Sequence, residues 1–210
     1  MANTTEEPDL PGSLAHTIET SDLASLGKEL SEVGIDSVFK DGILKDLPII
    51  GAIVGLWKAG VSIKDAIFFR KLLAFLTDLA SVPQAKRAEM ITSLNSEDAT
   101  ESAGEKLLTL LERLDSAAKA NLLGKSFKLL AAGTISAEEF WRVSFVLDRL
   151  PLSDVQALRK WRQTDLDHVE HVRKHLYLSS GVGWFVLDAS SAGFKWQKRL
   201  CTIFSDHLLN

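Results

Sequence analysis

The feature that most constrains this chain is the stretch from Leu47 to Trp57, LPIIGAIVGLW, which runs eleven residues without a charge. A straight transmembrane helix needs about 20 apolar residues, so this stretch is too short to cross a bilayer alone. A helix that is apolar all round offers no face to water and must lie in a core, against a partner or in lipid. Gly51 and Gly55 form a small-xxx-small pair, which lets a second helix approach closely. Two readings stand: a buried helix in a soluble core, or an interfacial, membrane-inserting segment.

The next segment has a different pattern. Over residues 64–80, a helical wheel puts Phe68, Phe69, Leu72, Leu73, Phe75, Leu76 and Leu79 on one face and Arg70, Lys71, Thr77 and Asp78 on the other. A basic outer face beside a Phe/Leu face suits a membrane surface or the outside of a soluble bundle. Residues 47–80 are therefore expected to pack as an apolar helical hairpin. Its interaction candidates are Ile50, Gly51, Gly55 and Trp57 from the first half, and Phe68, Phe69, Arg70 and Lys71 from the second.

Further along, helical periodicity and stop signals recur. Ser21 or Asp22 caps a short helix ending near Gly34, and Pro83 precedes another at 84–94. Leucines at 107, 108, 110, 111 and 114 mark a helix over 104–115. Asp115 or Ser116 caps the next, which stops at Gly133. The sequence SAEE at 136–139 is a capping box for a helix that Pro151 closes. Ser153 and Thr164 cap two more, at 154–162 and 165–178. Residues 183–197 then change character, with two short apolar strands around a Ser/Gly turn, before a last helix at 199–209.

The expected fold is mainly α: a multi-helix bundle of about seven helices with a small C-terminal winged-helix-like end containing one β-hairpin. The expected layout is a flexible acidic tail at 1–20, a helical core at 21–135 and a winged-helix-like subdomain at 136–210. The tail reading rests on polar residues and on Pro8 and Pro11, which discourage helix. The tail also lacks the basic region and apolar run of a secretory signal.

Charge narrows the function classes. The net charge is −4, and residues 1–50 alone hold 10 acidic residues against 3 basic ones. No segment carries the dense Lys/Arg stripe that non-specific nucleic-acid binding uses. The single cysteine, Cys201, excludes an internal disulfide framework and a multi-cysteine zinc site.

Three motifs suggest chemistry. Gly124-Lys125-Ser126 resembles the end of a phosphate-binding loop, but Lys119 stands where the earlier glycine belongs, and a helix interior has no free N–H groups for phosphate. The stretch from Gly133 to Glu139 resembles half of a calcium loop, but Lys128, Leu130 and Ala132 occupy the early ligand positions. His168, His171 and His175 share one edge of the helix expected at 165–178. They are candidates for a pH-sensitive contact, and they lack the further ligands a metal site needs. No cofactor and no catalytic residue is expected. The five tryptophans are assigned mainly to core packing, with interface anchoring as the alternative.

The run from Leu47 to Asp65, the FRKLLAFL at 69–76, the EKLLTLLERLD at 105–115 and the SFVLDRL at 144–150 resemble uncharacterised small helical proteins of bacteria and prophages. The resemblance implies a bacterial or phage source and a role in phage–host conflict; it carries over no catalytic residue. The expected function is a non-enzymatic protein-interaction or membrane-peripheral module. The alternatives are a winged-helix DNA-binding regulator and a membrane-perturbing effector using residues 47–80. A protein partner or a second copy is the expected partner, ahead of a membrane surface and of nucleic acid. The expected location is the cytoplasm, or its boundary with the inner membrane.

Overall fold

A computed structural model describes residues 9–23, 26, 44–57, 63–95, 100–165, 168–187 and 192–210. The helix expected after Ser21 falls largely outside them. The described residues form ten α-helices and a two-stranded antiparallel hairpin, so the chain is mainly helical with a small β end. It folds as two compact units, one ending at Arg113 and the other beginning at Leu114. The expected division lay at 135/136, beside Gly133. That glycine instead closes a helix inside the second unit: its φ is +70°, and Gly133 and Thr134 donate back to Leu130 and Leu129.

The first unit contains α1 (Leu10–Thr20), α2 (Pro48–Trp57), α3 (Ile63–Leu79), α4 (Gln84–Leu94) and α5 (Ala103–Arg113). Helix α1 corrects the expected tail over residues 10–20. Pro11 lies in its first turn, where a missing N–H costs nothing, and the Asp9 carboxylate caps it by accepting from Gly12 N at 2.9 Å. Its Leu14 and Ile18 are fully buried, each worth about 1.5–3 kcal/mol of apolar burial.

Helices α2, α4 and α5 all pack on α1. Three contacts fix that arrangement. Thr17 Oγ1 accepts from Ile49 N at 3.0 Å, satisfying a first-turn amide of α2. The buried Arg87 guanidinium of α4 donates to Ile18 O at 2.8 Å and Ser21 O at 2.7 Å, placing a cation at the negative end of α1. At Gly104 of α5, a Cβ would lie 2.4 Å from Pro11 O, so only glycine permits this approach.

The expected pairing of 47–57 with 64–80 is not the main packing of either stretch. Helix α2 packs chiefly on α1, and α3 on α5. The apolar run found a neighbour that the sequence reading had treated as tail.

The second unit contains α6 (Ala117–Ala131), α7 (Ala137–Arg149), α8 (Leu152–Ala157), a 3-10 helix (Leu158–Gln163) and α9 (His171–Ser179). Strands β1 (Gly183–Leu187) and β2 (Ala192–Trp196) follow, then α10 (Lys198–Thr202) and a π-helical end (Ile203–Leu208). Ser116 caps α6 and the Ser136/Glu139 box caps α7, as the sequence indicates. Phe127 of α6 meets Phe140 of α7 edge-on at 6.0 Å in the core.

Two helices differ from expectation. The first begins at Leu152, directly after Pro151, so Ser153 lies in its first turn instead of capping it. The other begins at His171, not Asp165. The Asp165 carboxylate lies 2.7 Å from His168 Nδ1, a local pairing that competes with helix entry.

The Gly104 contact yields a direct test. Gly104→Ala should destabilise the first unit by about 1–3 kcal/mol in urea unfolding, because the new methyl meets backbone that cannot swing away. Arg87→Met should also destabilise it, by about 1–3 kcal/mol for each carbonyl left buried without a donor. An unchanged urea midpoint in Gly104→Ala would contradict the close approach.

Candidate functional site

The residues singled out at 47–80 do not converge on a site. Ile50 and Phe69 are fully buried, and Phe68 is half-buried. Lys71, expected on the outer face, is only 5% exposed, and its ammonium donates to Glu112 O at 2.7 Å. Its flexible stem lets the charge reach a helix-end carbonyl from the apolar side. Arg70 is exposed. The close approach beside Gly51 is to Lys45 O, in the turn leading into the same helix, and nothing lies within 4 Å of a Cβ at Gly55. The small-xxx-small pair therefore mediates no close helix crossing among the described residues. The Trp57 side chain lies outside the described set.

The histidines do not form the expected edge. His168 precedes α9 and pairs with Asp165, while His171 and His175 are exposed on α9. No group of three or more potential metal-ligating His, Cys, Asp or Glu side chains occurs among the described residues. Lys125 lies within α6, and Ser126 donates to Leu123 O, so this segment is ordinary helix. Glu139 spends its carboxylate on Ser136 N and on Arg199.

An aromatic cleft of about 650 Å³ lies elsewhere in the second unit, walled by Trp161, Trp184, Phe194 and Trp196, with Lys195 and Lys198 also in its lining. Its volume falls within the usual range of about 300–1,000 Å³ for ligand sites. The local sequence builds it step by step. In the antiparallel ladder, Gly183 faces Trp196 and Phe185 faces Phe194, so these four share one face of the hairpin. The Phe194 ring occupies the space above Gly183, where a Cβ would collide with it at 2.1 Å.

Trp196 lies 5.1 Å from the Tyr177 ring and 6.5 Å from the Trp161 ring, measured between centroids. Polar contacts behind the walls fix both neighbours. Trp161 Nε1 donates to Ser205 Oγ at 3.1 Å, and Arg162 stacks 4.8 Å above the Trp161 ring while donating to both Asp206 oxygens. Tyr177 OH and Arg173 Nε donate to the buried Asp154 carboxylate at 3.2 and 2.7 Å.

At the mouth, Gln197 N donates to Val182 O, and Gln197 Oε1 caps α10 by accepting from Leu200 N at 2.6 Å. Arg199 is held by Glu139 and Thr134 O, which pushes the Glu139 carboxyl below its usual range. Lys195 and Lys198 are exposed and have no carboxylate partner among the described residues. The Trp196 Nε1–H is buried without an acceptor among them, an omission that ordinarily costs about 1–3 kcal/mol.

Planar apolar walls and a cationic rim can hold a ligand by stacking and charge. Among the described residues, no carboxylate, imidazole or thiol lines the cleft. Cys201 is buried on the inner side of α10, where burial raises its thiol to about 12. Sequence reading missed the cleft because it assigned the tryptophans mainly to core. The spacing of Phe194 and Trp196 on one strand was the available signal.

No protein-family model matches the chain, no curated protein matches it, and no solved structure matches it.

Two measurements check this geometry. Cys201 should resist a thiol reagent in the folded protein at pH 8 and react fully in denaturant; rapid labelling of the native state would contradict its burial. The Arg162 and Ser205 hydrogen bonds hold the Asp206 carboxyl at about 2, against an ordinary 3.8. A depressed carboxyl contributes stability above its ordinary value and loses it as pH falls toward the folded value. Asp206→Asn should therefore flatten the acid-unfolding curve between pH 3.8 and about 2, with little change in its slope above pH 5.

Proposed function

We propose that this chain is a non-enzymatic protein-interaction module whose docking surface is the exposed apolar side of the C-terminal hairpin. The supporting observation is the exposure of large side chains along β1: Phe185 is 59% and Leu187 81% exposed on one face, and Trp184 48% exposed on the other. Helix α9, which packs on β1, adds exposed Val172 and Leu178. Exposed apolar residues gathered on adjoining elements mark interaction sites more often than chance scatter does. Strand β1 carries no charge or proline to blunt edge pairing, so its backbone and side chains can both meet an added strand.

A second copy of the chain or a different protein could supply the surface that covers β1. A bacterial or phage setting, with a part in phage–host conflict, rests on the sequence resemblance at residues 47–76, 105–115 and 144–150. A cytoplasmic location is proposed on the same basis, with attachment to the inner-membrane surface as the alternative. No described helix is long and apolar enough to cross a membrane.

The DNA-binding alternative draws on the order of three helices, a hairpin and a closing helix, which is that of a winged-helix module. However, Arg173 of α9 is committed to Asp154, which weakens that helix as a reader of base edges. The membrane-perturbing alternative would have to expose Ile50 and Phe69, both fully buried, at about 1.5–3 kcal/mol each.

The test is a photocrosslinker placed at Leu187 in the native host, combined with sedimentation of the purified protein over a wide concentration range. Discrete adducts or concentration-dependent self-association are expected, and Phe185→Ser with Leu187→Ser should abolish either one while leaving the helical signal intact. A strictly monomeric protein that yields no discrete adduct would end the interaction reading.

A further inference from the structure

We propose that the cleft walled by Trp161, Phe194 and Trp196 is a binding site for a small anionic aromatic ligand, such as a planar carboxylic acid. This goes beyond the docking surface on β1, because the cleft can fill whether or not a partner covers Leu187. The walls determine the ligand's body. Three aromatic rings meet at 6.1 to 6.5 Å with steep interplanar angles, and the lining is almost wholly apolar. Such a site favours a flat, rigid body over a flexible chain, since a ring loses little conformational freedom on stacking.

The rim determines the charge. Arg199 is already neutralised by Glu139, which leaves Lys195 and Lys198 as the unpaired cations beside the opening among the described residues. An acid group on the ligand would answer this positive charge. The wider surroundings agree in sign, since residues 114–210 hold 13 Lys and Arg against 10 Asp and Glu.

Single-stranded nucleic acid also combines stacking with negative charge. The small acid is preferred because, among the described residues, the cleft is lined by only two lysines without a carboxylate partner, too few for a track that could follow a phosphate backbone.

The test uses the full chain and four probes: naphthalene-2-carboxylate, its neutral analogue 2-naphthylmethanol, decanoate and oligo-dT. Binding is read by tryptophan fluorescence and by shifts of the indole N–H resonances. The carboxylate should bind roughly five- to tenfold more tightly than the alcohol, the range expected for two exposed charge contacts. Its advantage should shrink at high salt. Lys195→Gln with Lys198→Gln should bring the carboxylate down to the alcohol's affinity without altering the alcohol's own binding. Both lysines are exposed, so this variant should retain the fold, as circular dichroism would show. The Trp196 indole signal should be among those that move.

Equal affinity for the two naphthalenes would overturn the proposal, as would carboxylate binding that ignores the lysine substitutions. So would decanoate binding as tightly as the ring acid, or absence of any binding. Preferential capture of oligo-dT, with Trp196 shifting, would replace the small acid with a nucleic-acid strand.

Discussion

The second unit depends on the packing of the Trp196 indole against Tyr177 and Trp161. A two-stranded hairpin is marginal in water and needs a surface to rest on. Trp196 provides that attachment at the end of β2, with its ring 5.1 Å from Tyr177 of α9 and 6.5 Å from Trp161 of the 3-10 helix. Each supporting ring is positioned by a charge pair: Asp154 with Arg173 behind Tyr177, and Asp206 with Arg162 over Trp161. The exposed Arg162–Asp206 pair contributes more by orienting aromatic surface than by its own Coulomb energy, because exposed pairs are worth only about 0–1 kcal/mol, whereas the Asp154 carboxylate is buried and depends on its Arg173 and Tyr177 partners. The same arrangement leaves the outer end of the hairpin uncovered. Rings at the Trp196 end find neighbours, whereas Phe185 and Leu187 extend into solvent.

The first unit is organised around α1. Its buried face receives α2, α4 and α5, and each of the three arrives with a different kind of contact: a hydroxyl cap at Ile49, a guanidinium on the terminal carbonyls, and a glycine crossing at Gly104. Burial disfavours the charged form of Arg87, and Asp22 partly offsets that effect. This is the expected balance for a buried cation used as a helix cap. An apolar helix such as Pro48–Trp57 can therefore be packed within a helical unit when one neighbour offers both apolar surface and a polar group for a first-turn amide.

Local signals in the sequence were the most legible part of the fold. Ser116, Gly133 and the Ser136/Glu139 box act within a few residues of themselves, and the hairpin announced itself through two apolar strands around a Ser/Gly turn. What depended on distant partners was less legible. Pro11 looked like a helix breaker, yet it occupies the first turn that tolerates proline. Lys71 looked exposed on a wheel, yet a carbonyl 41 residues away accepts a hydrogen bond from its ammonium. The close helix crossing lay at Gly104, while the more conspicuous Gly51 and Gly55 made none.

The candidate site was hidden for a related reason. Sequence reasoning looked for function in residues 47–80 because they were the most apolar, but strong apolarity is what burial consumes. Ile50 and Phe69 are spent in the core. Binding surface remains where apolar side chains are held out of the core by structure that cannot fold over them. Here the short ladder does this: its register puts Phe185 and Phe194 opposite each other on the same face as Trp196, and only the Trp196 end reaches the helices. A cleft with aromatic walls, lined by two lysines that have no carboxylate partner among the described residues, results from that geometry. No single residue in it carries a recognisable motif, because the chemistry belongs to the pairing of strands and not to any one stretch of chain.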